Sequence, residues 1–147
     1  MNIARVGEGD LDALVPLMDA YCAFYGVNPG DARLRALARE LIDDPDEGLL
    51  LLARDDDGEA VGFATVYWTL NTLEGGRVGT MHDLYVRESR RGRGVGRALI
   101  DACLAEVRAA GLPALTWDTA PDNLTAQALY DSTGAERGEW FTYRLPA

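Results

Sequence analysis

The sequence predicts a mixed α+β fold: one mostly antiparallel central sheet with helices on both faces. Three observations lead there. Strand patterns joined by a tight turn fill much of the first half, a β-α-β unit comes late, and a glycine-rich turn opens the longest helix. Antiparallel strands followed by a crossover unit place helices on both faces of one sheet.

Met1–Val6 reads as a short first strand. Asp10 offers an N-cap for a helix over Leu11–Tyr25, whose apolar residues Leu11, Leu14, Val15, Met18, Cys22 and Tyr25 recur at helical spacing. Pro16 sits inside that pattern and is expected to kink or divide it. Gly26, Pro29 and Gly30 break the chain, and Asp31 is expected to cap a second helix over Ala32–Asp43. Leu49–Arg54 and Ala60–Thr69 form an antiparallel hairpin across the turn signal Asp55-Asp56-Asp57-Gly58. After a loop over Asn71–Gly76, Val78–Val86 is a fourth strand. Gly94–Ala109 is a long helix, stopped by Gly111-Leu112-Pro113. Ala114–Thr119 is a fifth strand, Leu124–Thr133 a helix ended at Gly134, and Glu139–Leu145 a last strand.

The bulk properties narrow the classes of function. A chain of 147 residues, 48% hydrophobic and 26% charged, is expected to form one soluble domain over residues 1–147. No apolar run approaches the roughly 18 residues of a membrane span. Met1-Asn2-Ile3-Ala4-Arg5-Val6 lacks the basic start and apolar stretch of a signal peptide, so no membrane partner and a cytoplasmic location are expected. Cys22 and Cys103 are far apart and read as reduced, buried thiols. With one histidine and no paired cysteines, no metal is expected. A net charge of −10 weighs against nucleic acid as the partner and favours a cationic one.

The charge is uneven. Between Arg87 and Arg97 stand five arginines (Arg87, Arg90, Arg91, Arg93, Arg97) and one acid, Glu88. That island coincides with Arg91-Gly92-Arg93-Gly94-Val95-Gly96-Arg97-Ala98-Leu99, which follows a strand and opens a helix. Glycines let backbone approach a ligand closely. The first N–H groups of a helix have no internal partners and lie at the positive end of its dipole, which suits a pyrophosphate. Arginines add charge and bidentate geometry. A dinucleotide fingerprint needs Gly-x-Gly-x-x-Gly, and here the third glycine arrives one residue early, at Gly96. The turn also comes late in the chain, with one β-α-β unit around it, which disfavours a nucleotide-dependent oxidoreductase. No Gly-Lys-Ser/Thr follows, so the turn is not a P-loop.

Arg91, Gly94 and Gly96 match the Arg/Gln-x-x-Gly-x-Gly/Ala signature of the GNAT superfamily of acyl-coenzyme-A-dependent N-acetyltransferases, which this chain resembles over essentially its whole length. The strand Asp83-Leu84-Tyr85-Val86, the long helix, and Asn123, Ala126, Leu129-Tyr130 and Gly134 fall in the family's order. Trp117-Asp118-Thr119, with Asn123 and Tyr130, looks most like the branch that includes histone and polyamine acetyltransferases. The resemblance implies a sheet of six to seven strands whose fourth and fifth members splay apart to hold acetyl-coenzyme A as co-substrate.

It also implies roles residue by residue. Leu84, Tyr85 and Val86 would pair with the pantetheine amides, and backbone N–H groups from Arg91 to Ala98, thus Arg91, Gly92, Arg93, Gly94, Val95, Gly96, Arg97 and Ala98, would hold the pyrophosphate. Asn123 would contact the coenzyme arm, although it also reads as a plain N-cap. Tyr130 would protonate the departing thiolate. A phenol of pKa near 10 and a thiol near 8.5 make that transfer uphill by only about 2 kcal/mol. Many relatives carry a glutamate where this chain has His82, so His82 is the candidate base or water-positioner. Strand alternation places Asp83 on the opposite face from His82. Tyr21 and Tyr25, with Asp118, are candidate acceptor-binding residues; Phe24, Trp68, Trp117 and Trp140 are other aromatics open to core or ligand roles. The implied reaction is direct attack of a small-molecule or peptide amine, cationic in its resting form, on acetyl-coenzyme A. A homodimer is compatible with it. A catalytically silent acyl-coenzyme-A sensor of the same fold is the second reading.

Overall fold

The computed structural model describes residues 1–147. Its strands pair in chain order. β1 (Asn2–Arg5), β2 (Gly48–Arg54), β3 (Ala60–Asn71) and β4 (Gly76–Val86) run antiparallel in succession, and β5 (Leu115–Thr116) joins β4 in parallel. β2 is buried on both faces, which is why its sequence is an unbroken apolar run rather than an alternation. Leu50 and Leu52 point to one side; Leu49, Leu51 and Ala53 point to the other.

Each face has its own cover. α1 (Leu11–Phe24) and α2 (Asp31–Asp43) lay Leu11, Leu14, Val15, Leu34, Ala38 and Leu41 against Leu50, Leu52 and Phe63. α3 (Val95–Ala109) covers the opposite face with Val95, Leu99, Ile100 and Cys103. Each fully buried side chain of this kind contributes about 1.5–3 kcal/mol by leaving water. α4 (Leu124–Asp131) is short and lies beside the end of β5.

Glycine sets one approach that matters for the site. A Cβ at Gly79 would overlap Val107 of α3 and touch Trp68 and Leu115. Its absence lets α3 and β5 close on the middle of β4, just before the strands part.

Several expectations are corrected. The sheet has five strands, not six to seven, and β5 is two residues long rather than Ala114–Thr119. Glu139–Leu145 forms no strand: it has no partner within the chain, and Trp140, Phe141, Tyr143 and Leu145 are 86–94% exposed. Pro16 does not divide α1. It lies on the exposed side of the helix, where water can serve the carbonyl it leaves free, while Leu14, Val15, Leu17 and Met18 are held in the core. Neither Asp10 nor Asp31 caps its helix through the side chain. Asp10 accepts from Gly7 N–H (3.0 Å) and Arg54 (2.8 Å), and Asp31 accepts from Arg35 (2.9 Å). Arginine competes successfully with the helix N–H groups for both carboxylates. Of the two thiols, Cys103 is buried but Cys22 is only partly so.

Candidate active site

β4 and β5 pair only at Gly79–Leu115 and Thr80–Thr116. Beyond that point Met81, His82 and Leu84–Val86 share with Trp117–Thr119 the lining of a cleft of about 430 Å³. The inner edge of β4 therefore has no partner strand along the cleft. Arg87 N–H donates to Val61 C=O of β3. By the alternation of an antiparallel ladder, Tyr85 then turns its backbone groups toward β3, while Leu84 and Val86 turn theirs toward the cleft. The expected backbone trio is thus a pair, and Tyr85 contributes its ring instead.

The glycine turn closes one end of the cleft. Gly92 and Gly94 adopt φ of +73° and +81°, a left-handed conformation that favours glycine. The backbone N–H groups of Gly92, Arg93, Gly94, Val95, Gly96 and Arg97 have no acceptor within the chain. Arg91 N–H donates to Glu88 C=O and Ala98 N–H to Gly94 C=O, so those two lie outside the free run. Gly96 has a second role. A Cβ there would come within 3.0 Å of Leu129 Cδ2, so glycine lets α4 pack onto the start of α3.

Most of the basic island is already committed. Arg87 pairs with Glu59, and Arg90 bonds Asp55 (2.7 Å) and Glu59 (3.1 Å), clamping this turn to the β2–β3 hairpin. Arg91 donates to Val86 C=O (3.0 Å) and lies over the Tyr85 ring at 5.8 Å. Arg97 bonds Asp101 (3.1 Å) and Ser132 C=O (3.0 Å). Arg93 has no partner and lies outside the cleft lining, as does Ala98. The backbone, more than the guanidinium groups, supplies the free donors.

α4 brings Asn123 and Tyr130 to the same cleft. Asn123 is the N-cap: its Oδ1 accepts from Ala126 N–H at 3.2 Å. The Tyr130 ring packs on Trp117 with centroids 5.5 Å apart, and burial raises its phenol above the ordinary range. A proton is therefore held firmly on Tyr130 at neutral pH.

His82 and Asp83 overturn a strand-parity expectation. The register of β3 against β4 runs Thr65–Asp83 and then Val66–Met81, leaving His82 as the extra residue of a bulge. Both side chains then lie on the same face of the sheet, with Asp83 close to Tyr21 of α1 and His82 against Tyr67 of β3. His82 Nδ1 lies 3.8 Å from Asp83 Oδ1, and the imidazole meets the Tyr67 ring at 5.4 Å. Asp83 is largely shielded, with a side chain 17% exposed against 66% for His82. Its charge is felt nearby: Tyr21 and Tyr67 are raised above the usual phenol range, first by burial and then by Asp83.

The open end of the cleft is lined by Tyr21 and Phe24 from α1, by Tyr25 just after it, and by Asp118, which lies exposed beyond the end of β5. Tyr21 stacks edge-on against Tyr25 (5.1 Å), Phe63 (5.9 Å) and Tyr85 (6.3 Å), so it is anchored in the core while bordering the cleft. Trp68 and Trp140 lie outside the lining, and Trp117 belongs to it. Sequence reasoning missed that Asp83 shares a face of β4 with His82. No local signal marks the bulge, because neither His82 nor its neighbours is a glycine.

A family model described as the acetyltransferase (GNAT) family matches residues 14–135. An aminoglycoside N(6')-acetyltransferase type 1 from Stenotrophomonas maltophilia is 38% identical over 120 residues, covering 79% of this chain and 77% of the relative. A solved structure of a probable acetyltransferase superposes with a TM-score of 0.87 at 29% identity, covering 100% of this chain and 98% of the other. Another, AAC(6')-Iy in complex with the bisubstrate analog CoA-S-monomethyl-acetylneamine, gives 0.85 at 25% identity over 99% and 98% of the two chains.

Proposed function

This chain belongs to the GNAT acetyltransferase family, and on that premise we propose that it moves an acetyl group from acetyl-coenzyme A to a primary amine by direct attack. The observation that carries the reading is the run of unpartnered N–H groups from Gly92 to Arg97 at the end of a cleft bordered by an unpaired strand edge. Those donors fit a pyrophosphate, and the outward backbone groups of Leu84 with the Val86 N–H fit an amide-bearing arm, Val86 C=O being taken by Arg91. When bound, the co-substrate supplies an activated thioester.

The chain's own groups take the remaining roles. Tyr130 gives its proton to the leaving thiolate. Asn123 fixes the start of α4 and with it the position of Tyr130. His82, oriented by Asp83, accepts the ammonium proton directly or through water, and Tyr21, Tyr25 and Asp118 hold the acceptor. Two thiols poorly suited to covalent catalysis support direct attack: burial pushes Cys103 up to about 12 and also raises Cys22. The carboxylates Asp83 and Asp118 favour a cationic amine.

Calorimetric titration with acetyl-coenzyme A, followed by thiol-release assays with aminoglycosides, polyamines, amino acids and peptide N-termini, tests the proposal. Saturable binding with amine-dependent thiol release is expected. Absence of binding overturns it. Tight binding without release for any amine means the silent sensor instead.

A further inference from the structure

β3 carries one buried group that its surroundings do not satisfy. Ala60–Val66 are all buried, and Thr65 is the one among them with a polar side chain. Thr65 is 2% exposed, and its Oγ1 has no hydrogen-bond partner. No other buried side-chain nitrogen or oxygen in the chain is left in that state. Valine has the same shape and the same β-branched stiffness, without the cost of a desolvated hydroxyl. A hydroxyl kept at such a position calls for a partner, because buried polar groups are hydrogen-bonded.

The strand register shows where that partner lies. Thr65 stands directly opposite Asp83, at the step where His82 bulges out of β4. Cross-strand neighbours have Cβ atoms about 4.5–5.5 Å apart. Both side chains lie on the face that α1 covers. Thr65 alternates with Phe63 and Tyr67, which pack in that layer, and Asp83 lies close enough to Tyr21 to raise its phenol. Asp83 is shielded, with its side chain 17% exposed, and His82 Nδ1 at 3.8 Å is beyond hydrogen-bond reach. A buried hydroxyl and a shielded carboxylate thus face each other, the first without an acceptor and the second able to accept more. Inward from the cleft, His82 belongs to its lining, whereas Asp83 and Thr65 lie behind it.

We propose that Thr65 is a positioning residue: its hydroxyl donates to the Asp83 carboxylate, directly or through one bridging water, and so keeps that carboxylate beside His82. A bulge interrupts the ladder and re-aims the side chains at it, so a carboxylate placed there gains from an anchor on the neighbouring strand. Thr65 is that anchor, buried where bulk water does not compete for the carboxylate. Its hydroxyl lies away from the cleft lining, so its effect on the reaction passes through Asp83 and His82. The effect on rate rests on acetyl transfer with His82 in the role proposed above; the link between Thr65 and Asp83 does not.

Thr65→Val keeps the volume and removes the hydroxyl, whereas Thr65→Ser keeps the hydroxyl and removes a methyl. Thermal unfolding of the parent, Thr65→Val, Asp83→Ala and the double variant reads the link without any turnover. Thr65→Val is expected to lower Tm by roughly 3 °C where Asp83 is present, and to raise it where Asp83→Ala has removed the acceptor. In thiol-release assays, Thr65→Val should lower kcat/KM for the amine by roughly 10-fold, with coenzyme affinity unchanged by calorimetry. Thr65→Ser, although less stable for its lost methyl, should stay within roughly 3-fold of the parent rate. That split separates positioning from packing, because a packing role makes activity follow stability. A Tm that rises or stays unchanged on Thr65→Val in both backgrounds means that the hydroxyl has no partner, and overturns the proposal. A Thr65→Val enzyme with the parent kcat/KM, or a Thr65→Ser enzyme as slow as Thr65→Val, overturns it as well. A parent that releases no thiol with any amine overturns acetyl transfer instead, and the Tm cycle then decides the link by itself.

Discussion

His82 Nδ1 lies 3.8 Å from Asp83 Oδ1, on the same side of β4, because the strand bulges at His82. In a regular strand these neighbours would face opposite ways. The bulge joins an exposed imidazole to a shielded carboxylate beside Tyr21 and Tyr67. At this distance and exposure the pair adds little stability. At 3.8 Å the contact is electrostatic rather than a hydrogen bond.

That geometry separates two roles. His82→Gln should lower kcat/KM by roughly 10²-fold, because glutamine cannot take up the proton. Asp83→Asn should lower kcat/KM less, since the imidazole is still present. A His82→Gln variant that turns over at the parent rate would assign the proton transfer to another group.

The glycine turn gives a charge test free of backbone effects. Gly94 has φ of +81°, which asparagine tolerates better than other side chains. Gly94→Asn should retain part of the coenzyme affinity, whereas Gly94→Asp, nearly isosteric but anionic, should weaken it by a further roughly 100-fold through repulsion of phosphate. Calorimetry on the two folded variants reads the difference directly; equal affinities would place the pyrophosphate elsewhere.

What the sequence made legible here is local. The β2–β3 hairpin, α3 and the turn before it follow from short-range patterns: an apolar run, an acidic glycine-ended turn, and alternating glycines opening a helix. Contacts between distant residues were not legible. The bonds of Arg90 to Asp55 and Glu59 bridge the turn and the hairpin, so most of an apparently phosphate-ready island is committed to holding the fold. The close approach of α3 and β5 to β4 depends on Gly79 facing Val107, which no local pattern encodes. For Glu139–Leu145 the alternation predicts a strand that does not form, because a strand exists only with a neighbour and this chain supplies none.

Acid stability should carry the signature of Asp10. Gly7 N–H first, and then Arg54, hold its carboxyl below the usual carboxylate range. A depressed folded-state value means the contribution is fully present above the unfolded value, about 3.9, and fades as pH falls through the folded one. Asp10→Asn should cost roughly 0.2–1 kcal/mol at pH 7, the scale of a solvent-screened ion pair such as that with Arg54. The difference from the parent should shrink below pH 4. Urea unfolding at pH 7 and pH 3 checks both; a constant difference would mean that charge is not involved.

Tyr130 is the sharpest test of the proposed chemistry. Burial raises its phenol, so it stays protonated through neutral and mildly alkaline pH and can serve as a donor throughout that range. The same shift makes the proton harder to give up, so donation matters more for a basic leaving thiolate than for a weakly basic one. Tyr130→Phe keeps the ring against Trp117, 5.5 Å away between centroids, and should leave coenzyme affinity within roughly 3-fold while kcat falls roughly 10²–10⁴-fold. If the loss reflects a missing proton, a thioester analogue with a more acidic leaving thiol should recover most of the rate in the variant and change the parent little. A packing defect predicts the opposite, an equal deficit with both thioesters. Comparing the variant-to-parent rate ratio across the two therefore distinguishes proton donation from support of the cleft wall, and a ratio that does not move rules Tyr130 out as the acid.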